Sequence, residues 1–259
     1  MLIPMAARIY ASKRFPEYFY DETALSLEEK IPGETLERIW KSSSEYTMLA
    51  SVARYYNFDE MIKNFLNQHE KCNIVNLGAG LETAAFRLHA DGTIFYEIDL
   101  PEVIELRRHL IPEQQGDTYL EGSLLDDDWM DELRTRHPDS EFLIVAEGVL
   151  MYFYERQVKR FVTRIAKRFA GGELCFDVCG PMMTKHGVRP DSMQESQAEF
   201  RSGFANGHEI EKWACNIQLV EQKSYMSMFR SRWGFMGYTF GLFPRLCFRY
   251  SSMLRFKLV

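Results

Sequence analysis

The middle of the chain alternates short apolar runs with stretches of helical periodicity, and this alternation constrains the fold more than any other feature. The apolar runs predict strands at residues 73–77, 93–98, 118–121, 142–146 and 173–178. Helices are predicted between them, most clearly at 155–169, where apolar residues recur at helical spacing. Because strands that alternate with helices form a parallel sheet covered on both faces, we predict an α/β fold.

Helical segments and a final strand are predicted on either side of this region. Residues 34–69 have the pattern of one or two amphipathic helices, and residues 252–258 that of a last strand. No internal repeat or low-complexity linker marks a boundary, and 259 residues suit one elaborated domain. We therefore divide that single domain into an N-terminal helical lid segment, residues 1–70, and a core, residues 71–259.

Charge and cysteine content exclude several classes of protein. The formal net charge of −6 argues against a nucleic-acid partner, because phosphate contacts need a basic surface. Five cysteines without a CxxC pair favour reduced thiols in a cytoplasmic protein and argue against a zinc site or any other metal. No apolar stretch approaches the roughly 20 residues of a membrane span, and the start lacks a signal-peptide pattern, so no integral membrane segment is expected.

A glycine-rich turn and a later carboxylate predict a nucleoside site. Gly78-Ala79-Gly80 follows the first predicted strand and is expected to open a helix, where backbone N–H groups face a ligand. Asp99 lies 21 residues after Gly78, at the end of the next strand, where a carboxylate can accept hydrogen bonds from both ribose hydroxyls. We infer a cofactor that contains a nucleoside.

The residues around this turn favour S-adenosylmethionine over a dinucleotide. The third glycine of the dinucleotide fingerprint is missing, and Glu82 stands where a pyrophosphate would bind. S-adenosylmethionine has no phosphate, and its methionine carboxylate and ammonium ask for a basic and an acidic partner, for which Arg54 and Glu147 are candidates. Two alternatives stay open here: an NAD(P)-dependent oxidoreductase on a Rossmann-like sheet, and a catalytically silent cofactor-binding protein.

Several motifs resemble the leucine carboxyl methyltransferase family. They are LGAGLET (77–83), FRL (86–88), FYEIDLPEV (95–103) and AEGVLMY (146–152), with Arg54 and Phe58-Asp59 upstream. The closing part of the chain, from Trp213 to Phe256, is similar to the bacterial polyketide-type O-methyltransferase branch. The resemblance implies a class I methyltransferase: a Rossmann-like, mostly parallel seven-stranded sheet with an antiparallel last strand inserted beside the fifth.

The resemblance also implies roles for individual residues. The implied cofactor is S-adenosyl-L-methionine, with S-adenosyl-L-homocysteine as the product. The implied cofactor-binding residues are Arg54, Gly78, Ala79, Gly80, Glu97, Asp99, Leu100, Ser123, Leu124 and Glu147. Arg54 is assigned to the methionine carboxylate and Asp99 to the ribose, while Glu147 and Tyr152 are the catalytic candidates. Ser123 replaces an aspartate that contacts adenine in the family.

The acceptor is predicted to be a small molecule that is methylated on oxygen. A carboxylate, ionised at neutral pH, needs no general base, whereas a phenol with a pKa of about 10 benefits from one. Because no residue is an obvious base, with His186 and His208 only weak candidates, a carboxylate or polyketide-like acceptor is favoured.

The C-terminal segment is basic and aromatic: residues 222–259 contain seven Lys or Arg and no Asp or Glu. We interpret it first as an insertion that completes the sheet between the sixth and seventh strands. The alternatives are contact with anionic lipid, and an acceptor pocket or homodimer face. The residues proposed for that pocket or face are Tyr225, Trp233, Phe235 and Tyr238.

Overall fold

Four helices precede the sheet in the computed structural model, which describes residues 2–88, 90–186, 198–234 and 242–259. They are α1 (Leu2–Arg14), α2 (Glu22–Leu27), α3 (Gly33–Ser42) and α4 (Glu45–Leu66). Two of them begin at side-chain caps: Asp21 accepts a hydrogen bond from the backbone N–H of Ala24, and Ser44 from that of Thr47. The predicted helical region at 34–69 is thus confirmed as α3 and α4, whereas α1 and α2 were not located individually, although residues 1–70 were expected to be helical.

The described residues contain a seven-stranded sheet with the order β3-β2-β1-β4-β5-β7-β6. The strands are β1 (Cys72–Leu77), β2 (Phe95–Asp99), β3 (Asp117–Glu121), β4 (Glu141–Ala146), β5 (Glu173–Cys179), β6 (Ile217–Lys223) and β7 (Ser251–Leu258). Strands β1 to β5 pair in parallel. β7 runs antiparallel to both β5 and β6 and inserts between them, so the predicted sheet is confirmed.

Sequence patterns missed β6, although they located the other six strands to within two residues. β6 is an edge strand with mostly half-exposed residues and a register shift between Leu219 and Glu221. An edge strand of mixed polarity carries no continuous apolar run, because only part of it is buried.

The connections between strands are mostly helical. They contain α5 (Ala84–Arg87), α6 (Pro101–Leu110), α7 (Asp128–Arg136), α8 (Glu155–Arg168), α9 (Pro181–Thr184), α10 (Gly207–Glu211) and α11 (Pro244–Cys247). Short 3₁₀ turns lie at Glu28–Lys30, Leu150–Tyr152, Tyr225–Ser227 and Arg230–Trp233. The predicted helix opening at the glycine turn is corrected here, because α5 begins only at Ala84 and has four residues.

The central strands are buried on both faces. In β1 and β4, Val75 and Ile144 pack with the apolar side of α8, while Ile74 and Leu143 pack on the other face against α4. This alternation follows from the two-residue period of a strand. It explains why these strands read as continuous apolar runs in the sequence.

The strand order changes direction between β1 and β4, which places a crevice at their carboxyl ends. The segments that follow β1, β2 and β4 all begin at this edge, and α4 passes above it. In the described residues, no helix is both long and apolar enough to cross a bilayer.

Candidate active site

A cavity of about 900 Å³ lies at the carboxyl edge of the sheet, between the strand ends and helices α1 and α4. Its walls include many of the residues predicted from the sequence: Arg54, Gly78, Ala79, Gly80, Asp99, Glu147 and Tyr152. The predicted residues Glu97, Leu100, Ser123 and Leu124 are not among its lining residues. The volume falls within the range of about 300–1,000 Å³ that small-molecule sites occupy.

The glycine turn forms one wall of the cavity with its backbone. Gly78 and Gly80 have φ angles of +64° and +53°, in the left-handed region that favours glycine. A Cβ atom on Gly78 would lie 2.5 Å from Cγ2 of Val149. The turn is joined to β2 by the N–H of Gly78, which donates to the carbonyl of Ile98 at 2.8 Å. Both the backbone conformation and the neighbouring side chain therefore require glycine at position 78.

Asp99 is held in place by backbone N–H groups on both of its oxygens. Oδ2 accepts from the N–H of Gly80 and Oδ1 from that of Leu100, each at 2.8 Å. An ionised carboxylate has about four acceptor sites, so two remain for a ligand. Asp99 is thus a fixed acceptor pair on the cavity wall, at the end of β2 where the sequence analysis placed it.

A charged cluster forms a second wall at the ends of β4 and β5. Arg54, on α4, donates from Nε to Oε1 of Glu147 at 2.8 Å, and its Nη1 lies 3.7 Å from Oδ2 of Asp177. Asp177 is fully buried and accepts two hydrogen bonds of 2.6 Å, from the N–H of Gly148 and from the hydroxyl of Tyr225. Since Nε of Arg54 is engaged, its Nη atoms still offer donors to a ligand carboxylate.

Burial changes the acidity of this cluster. It raises the pKa of Glu147 to about 8; Arg54 acts in the opposite direction, while Glu82 and Asp177 add to the rise. Burial also raises the pKa of Tyr225 well above its usual value, so its hydroxyl keeps the proton that it donates to Asp177. Glu147 therefore changes its charge near neutral pH, whereas Tyr225 does not.

Glu97 is placed away from the cavity. It is fully buried, its Oε1 accepts from Nδ2 of Asn76 at 2.9 Å, and its Oε2 lies 3.7 Å from Nη2 of Arg107 on α6. Because Glu97 lies two residues before Asp99, the last residue of β2, its side chain lies farther from the carboxyl edge of the sheet than that of Asp99.

Ser123 and Leu124 also contact other parts of the chain and do not line the cavity. Oγ of Ser123 accepts from the N–H of Leu125 at 3.1 Å, and Leu124 is buried in the core beside α7. Leu100, beside Asp99, has a side chain that is 45% exposed.

A buried ion network holds the glycine turn from the side of α1. Nη1 of Arg8 lies 3.1 Å from Oδ2 of Asp21 and also donates to Thr83, while Nη2 donates to the carbonyl of Leu81. Arg87 binds Glu82 at 2.9 Å. Although burial opposes ionisation, Arg8 and Arg87 lower the pKa of Glu82 to about 2. Glu82 is therefore an anion whose Oε1, 3.6 Å from Nη1 of Arg8, links the turn to α1.

Sequence reasoning missed two of these residues. Asp177 carried a readable signal, since it is an acid within an otherwise apolar strand that ends at the ligand-binding edge. Arg8 carried none, because arginine is ordinarily an exposed residue.

Of the other candidates from the sequence, only some lie at the cavity. His186 is exposed, and His208 is exposed and contacts Glu211 at 2.8 Å. Tyr225 lines the cavity, and Trp233 lines a smaller space beside it. Phe235 and Tyr238 lie outside the described residues.

Comparisons with known proteins agree with this geometry. The family model of leucine carboxyl methyltransferase matches residues 1–166. The tetracenomycin polyketide synthesis O-methyltransferase TcmP of Streptomyces glaucescens is 26% identical over 227 residues, which cover 87% of this chain and 82% of that protein. A putative S-adenosyl-L-methionine-dependent methyltransferase of Mycobacteroides abscessus is 32% identical over 133 residues, 49% of this chain and 44% of that protein.

One solved structure shares the fold across almost the whole chain. A DUF574 family protein from Streptomyces avermitilis aligns with a TM-score of 0.58 and 12% identity, covering 97% of this chain and 96% of its own. At that identity the likeness concerns the fold alone.

Proposed function

Since the chain belongs to the leucine carboxyl methyltransferase family and is an S-adenosylmethionine-dependent methyltransferase, we propose that it methylates an oxygen atom of a small-molecule acceptor. One observation carries this proposal: Arg54, Glu147 and Asp99 converge on the walls of one cavity at the carboxyl edge of the sheet. The alternative of an NAD(P)-dependent oxidoreductase is wrong, because the family and the relatives are methyltransferases.

The wall residues fit the two ends of S-adenosylmethionine that carry polar groups. The Nη donors of Arg54 suit the methionine carboxylate, and Glu147, when ionised, suits the ammonium beside it. Asp99 has acceptor sites left for the ribose hydroxyls, and the glycine turn leaves space for the methionyl chain. In this proposal Arg54, the 78–80 turn, Asp99 and Glu147 form the cofactor site.

Several residues that were predicted to bind the cofactor do not line the cavity. Glu97, Ser123 and Leu124, assigned to the cofactor by family resemblance, are engaged with other parts of the chain. We therefore limit the proposed cofactor contacts to the groups that line the cavity.

When bound, S-adenosylmethionine supplies a methyl group on a positive sulfur: the acceptor oxygen forms the new bond to carbon while sulfur keeps the electron pair of the broken bond, which leaves S-adenosylhomocysteine. The task of the chain is to hold the acceptor oxygen in line, which requires orientation more than acid–base chemistry. Glu147 and Tyr152 line the same cavity and are proposed to face the acceptor. Closure by the helices of residues 1–70, the proposed lid segment, excludes water.

A carboxylate acceptor is favoured within this proposal. Among the described lining residues there is neither histidine nor lysine that would serve as a general base, and Glu147 is already engaged by Nε of Arg54. A carboxylate is ionised at neutral pH and becomes an ester without losing a proton. A polyketide-like acid also agrees with the name of the Streptomyces relative, a polyketide O-methyltransferase.

Ligand binding and methyl transfer test the proposal together. At a concentration of a hundred times its Kd, S-adenosylhomocysteine is expected to stabilise the folded protein by about 2.7 kcal/mol. This raises the Tm by roughly 5–10 °C, whereas NAD leaves the Tm unchanged. Arg54→Ala abolishes this rise, whereas Arg136→Ala, a change at an exposed arginine, preserves it.

Transfer of labelled methyl from S-adenosylmethionine to a panel of aromatic and aliphatic carboxylic acids measures the reaction itself. Base-labile radioactivity in the product identifies an ester. Methylation of amines or thiols but of no acid in the panel would contradict an oxygen acceptor.

A further inference from the structure

Two buried arginines hold the carbonyl groups of consecutive residues in the glycine turn. Arg107, on α6, donates from Nη1 to the carbonyl of Gly80 at 3.2 Å, and Arg8, on α1, donates from Nη2 to that of Leu81. Arg8 belongs to the ion network around Asp21, whereas Arg107 is held by a separate set of side chains. Arg107 is fully buried and lies outside the cavity lining, so it does not reach a ligand directly.

Gly80 is bonded at both of its backbone polar atoms. Its N–H donates to Oδ2 of Asp99 at 2.8 Å, and its carbonyl accepts from Arg107. With a φ of +53° and no side chain, this residue has more conformational freedom than any other type would have. Rotation of the Gly80 backbone would move the carbonyl and the N–H together. The bond to Arg107 therefore also fixes the N–H that orients Asp99.

The guanidinium of Arg107 is itself fixed by side chains of three neighbouring strands. Its Nη2 lies 3.7 Å from Oε2 of Glu97 on β2, and Oε1 of Glu97 accepts from Nδ2 of Asn76 on β1 at 2.9 Å. The ring of Tyr119 on β3 faces the guanidinium, with 4.5 Å between Cζ and the ring centroid. Arg107 thus joins the glycine turn to the sheet.

An arginine side chain suits both contacts at once. The guanidinium is planar and has several N–H donors, so one nitrogen bonds Gly80 while another faces Glu97. A lysine has one terminal nitrogen on a flexible stem and does not hold two acceptors in a fixed plane. Because a buried ion pair adds little stability over apolar side chains of similar size, stability alone does not account for this pair.

We propose that Arg107 is a positioning residue of the cofactor site, which holds the Gly80 backbone so that Asp99 faces the ribose hydroxyls. The inference rests on the proposed function, since it deepens the assignment of Asp99 to the ribose. It also gives a role to Glu97, which the family resemblance assigns to the cofactor. Glu97 acts on the cofactor through Arg107, without lining the cavity.

Two ligands that differ only in the ribose hydroxyls test the inference by calorimetry: S-adenosylhomocysteine and its 2′,3′-dideoxy form. The ratio of their affinities measures the contact of the hydroxyls with Asp99. In the wild-type protein we expect a ratio of about ten or more, because the dideoxy ligand loses hydrogen bonds to a charged group.

Arg107→Lys keeps the buried positive charge but loses the planar fork that joins Gly80 to Glu97. Its affinity ratio is expected to fall by about fivefold or more, while the dideoxy ligand binds within about twofold of its wild-type affinity. A change that only loosens the fold weakens both ligands alike and leaves the ratio as it was. An unchanged ratio in Arg107→Lys would therefore overturn the inference.

Arg108→Lys is the matched control. Arg108 follows Arg107 on α6, and its side chain is 44% exposed and paired with Glu113 and Glu121. The same substitution at this position is expected to leave both affinities and their ratio unchanged. An equal fall of the ratio in both variants would contradict a specific role of Arg107.

A second variant decides the matter if Arg107→Lys does not fold. Arg107→Met combined with Glu97→Gln removes both charges of the pair, so neither is left buried without its partner. The ratio is expected to fall as in Arg107→Lys, and a ratio equal to that of the wild-type protein would contradict the inference.

Failure of the proposed function gives a different result, since it is seen in the wild-type protein. Equal binding of the two ligands there would contradict the contact of Asp99 with the ribose and, with it, the role of Arg107. Failure to bind S-adenosylhomocysteine at all would contradict the whole proposed cofactor site.

Discussion

At the scale of single residues, the site is a set of charges that are buried together. Arg54 is flanked by Glu147 at 2.8 Å and by Asp177 at 3.7 Å, and both carboxylates are largely or fully removed from water. Removing one partner of such a group strongly destabilises a protein, because it leaves another charge buried without compensation. The Tyr225 hydroxyl and the Gly148 N–H complete the bonding of Asp177, so this carboxylate positions the residues around it.

The raised pKa of Glu147 predicts a pH dependence of cofactor binding. Burial raises this pKa to about 8, so Glu147 is protonated at lower pH and becomes an anion as the pH rises through that value. If Glu147 binds the positive amino group of the ligand, the affinity for S-adenosylhomocysteine rises between pH 6.5 and 8, by up to about tenfold per pH unit. Calorimetry across this range measures the effect.

Glu147→Gln is the control for that pH dependence. It cannot ionise, so its affinity is expected to stay flat over the same range and to be lower than wild type at pH 8. Parallel pH profiles for the two proteins would show that Glu147 is not the group responsible.

At the scale of elements, the glycine turn between β1 and α5 is the most constrained segment of the site. Gly78 has a positive φ, and Val149 fills the space next to its missing side chain. The turn is also bonded to β2 through Ile98 and to α1 through Leu81. Displacement of this turn therefore moves the cavity wall that faces the proposed cofactor.

Gly78→Ala is expected to lower the affinity for S-adenosylhomocysteine at least tenfold. The new Cβ would lie 2.5 Å from Cγ2 of Val149, and the left-handed conformation costs a non-glycine residue about 1–2 kcal/mol. Gly33→Ala serves as the control, because a Cβ there meets nothing within 4 Å. Calorimetric titration of both variants tests this, and equal affinities would contradict it.

At the scale of the whole molecule, the N-terminal helices and the sheet form one continuous site. α4 carries Arg54 to the ends of β4 and β5, and α1 carries Arg8 to the glycine turn. The proposed lid segment is thus joined to the core by buried ion pairs, including the contacts of Arg87 with Asp21 at 2.9 Å and with Asp59 at 2.8 Å.

Arg8→Ala is expected to destabilise the protein by about 3–5 kcal/mol, since it leaves Asp21 and Glu82 buried with one cation fewer. At about 2–4 °C per kcal/mol, the Tm falls by roughly 6–20 °C. Lys13→Ala on the same helix changes an exposed pair with Glu28 and shifts the Tm by no more than about 2 °C.

Hydrogen exchange tests the proposed lid role of residues 1–70 separately from the stability of the whole protein. Backbone amides of α1 are expected to exchange more slowly when S-adenosylhomocysteine binds, and Arg8→Ala weakens this protection. Identical exchange of α1 with and without ligand would contradict a lid role for residues 1–70.

The sequence by itself determined the features that depend on residues close together along the chain. Six strands, the helix at 155–168 and the glycine turn with Asp99 follow from local periodicity and from a short spacing. The family motifs added the inserted antiparallel strand, which β7 confirms. Such features are readable because burial and backbone conformation impose a pattern on neighbouring positions.

Only the tertiary structure decided which distant side chains meet. Arg54 and Glu147 are 93 positions apart, and Arg8 reaches Leu81 across 73 positions, so no local pattern reports either contact. The same holds for the placement of Glu97 and Ser123 away from the cavity, and for the smaller space that Trp233 lines beside it. These contacts depend on how the elements pack around the sheet, and packing joins residues without regard to their distance along the chain.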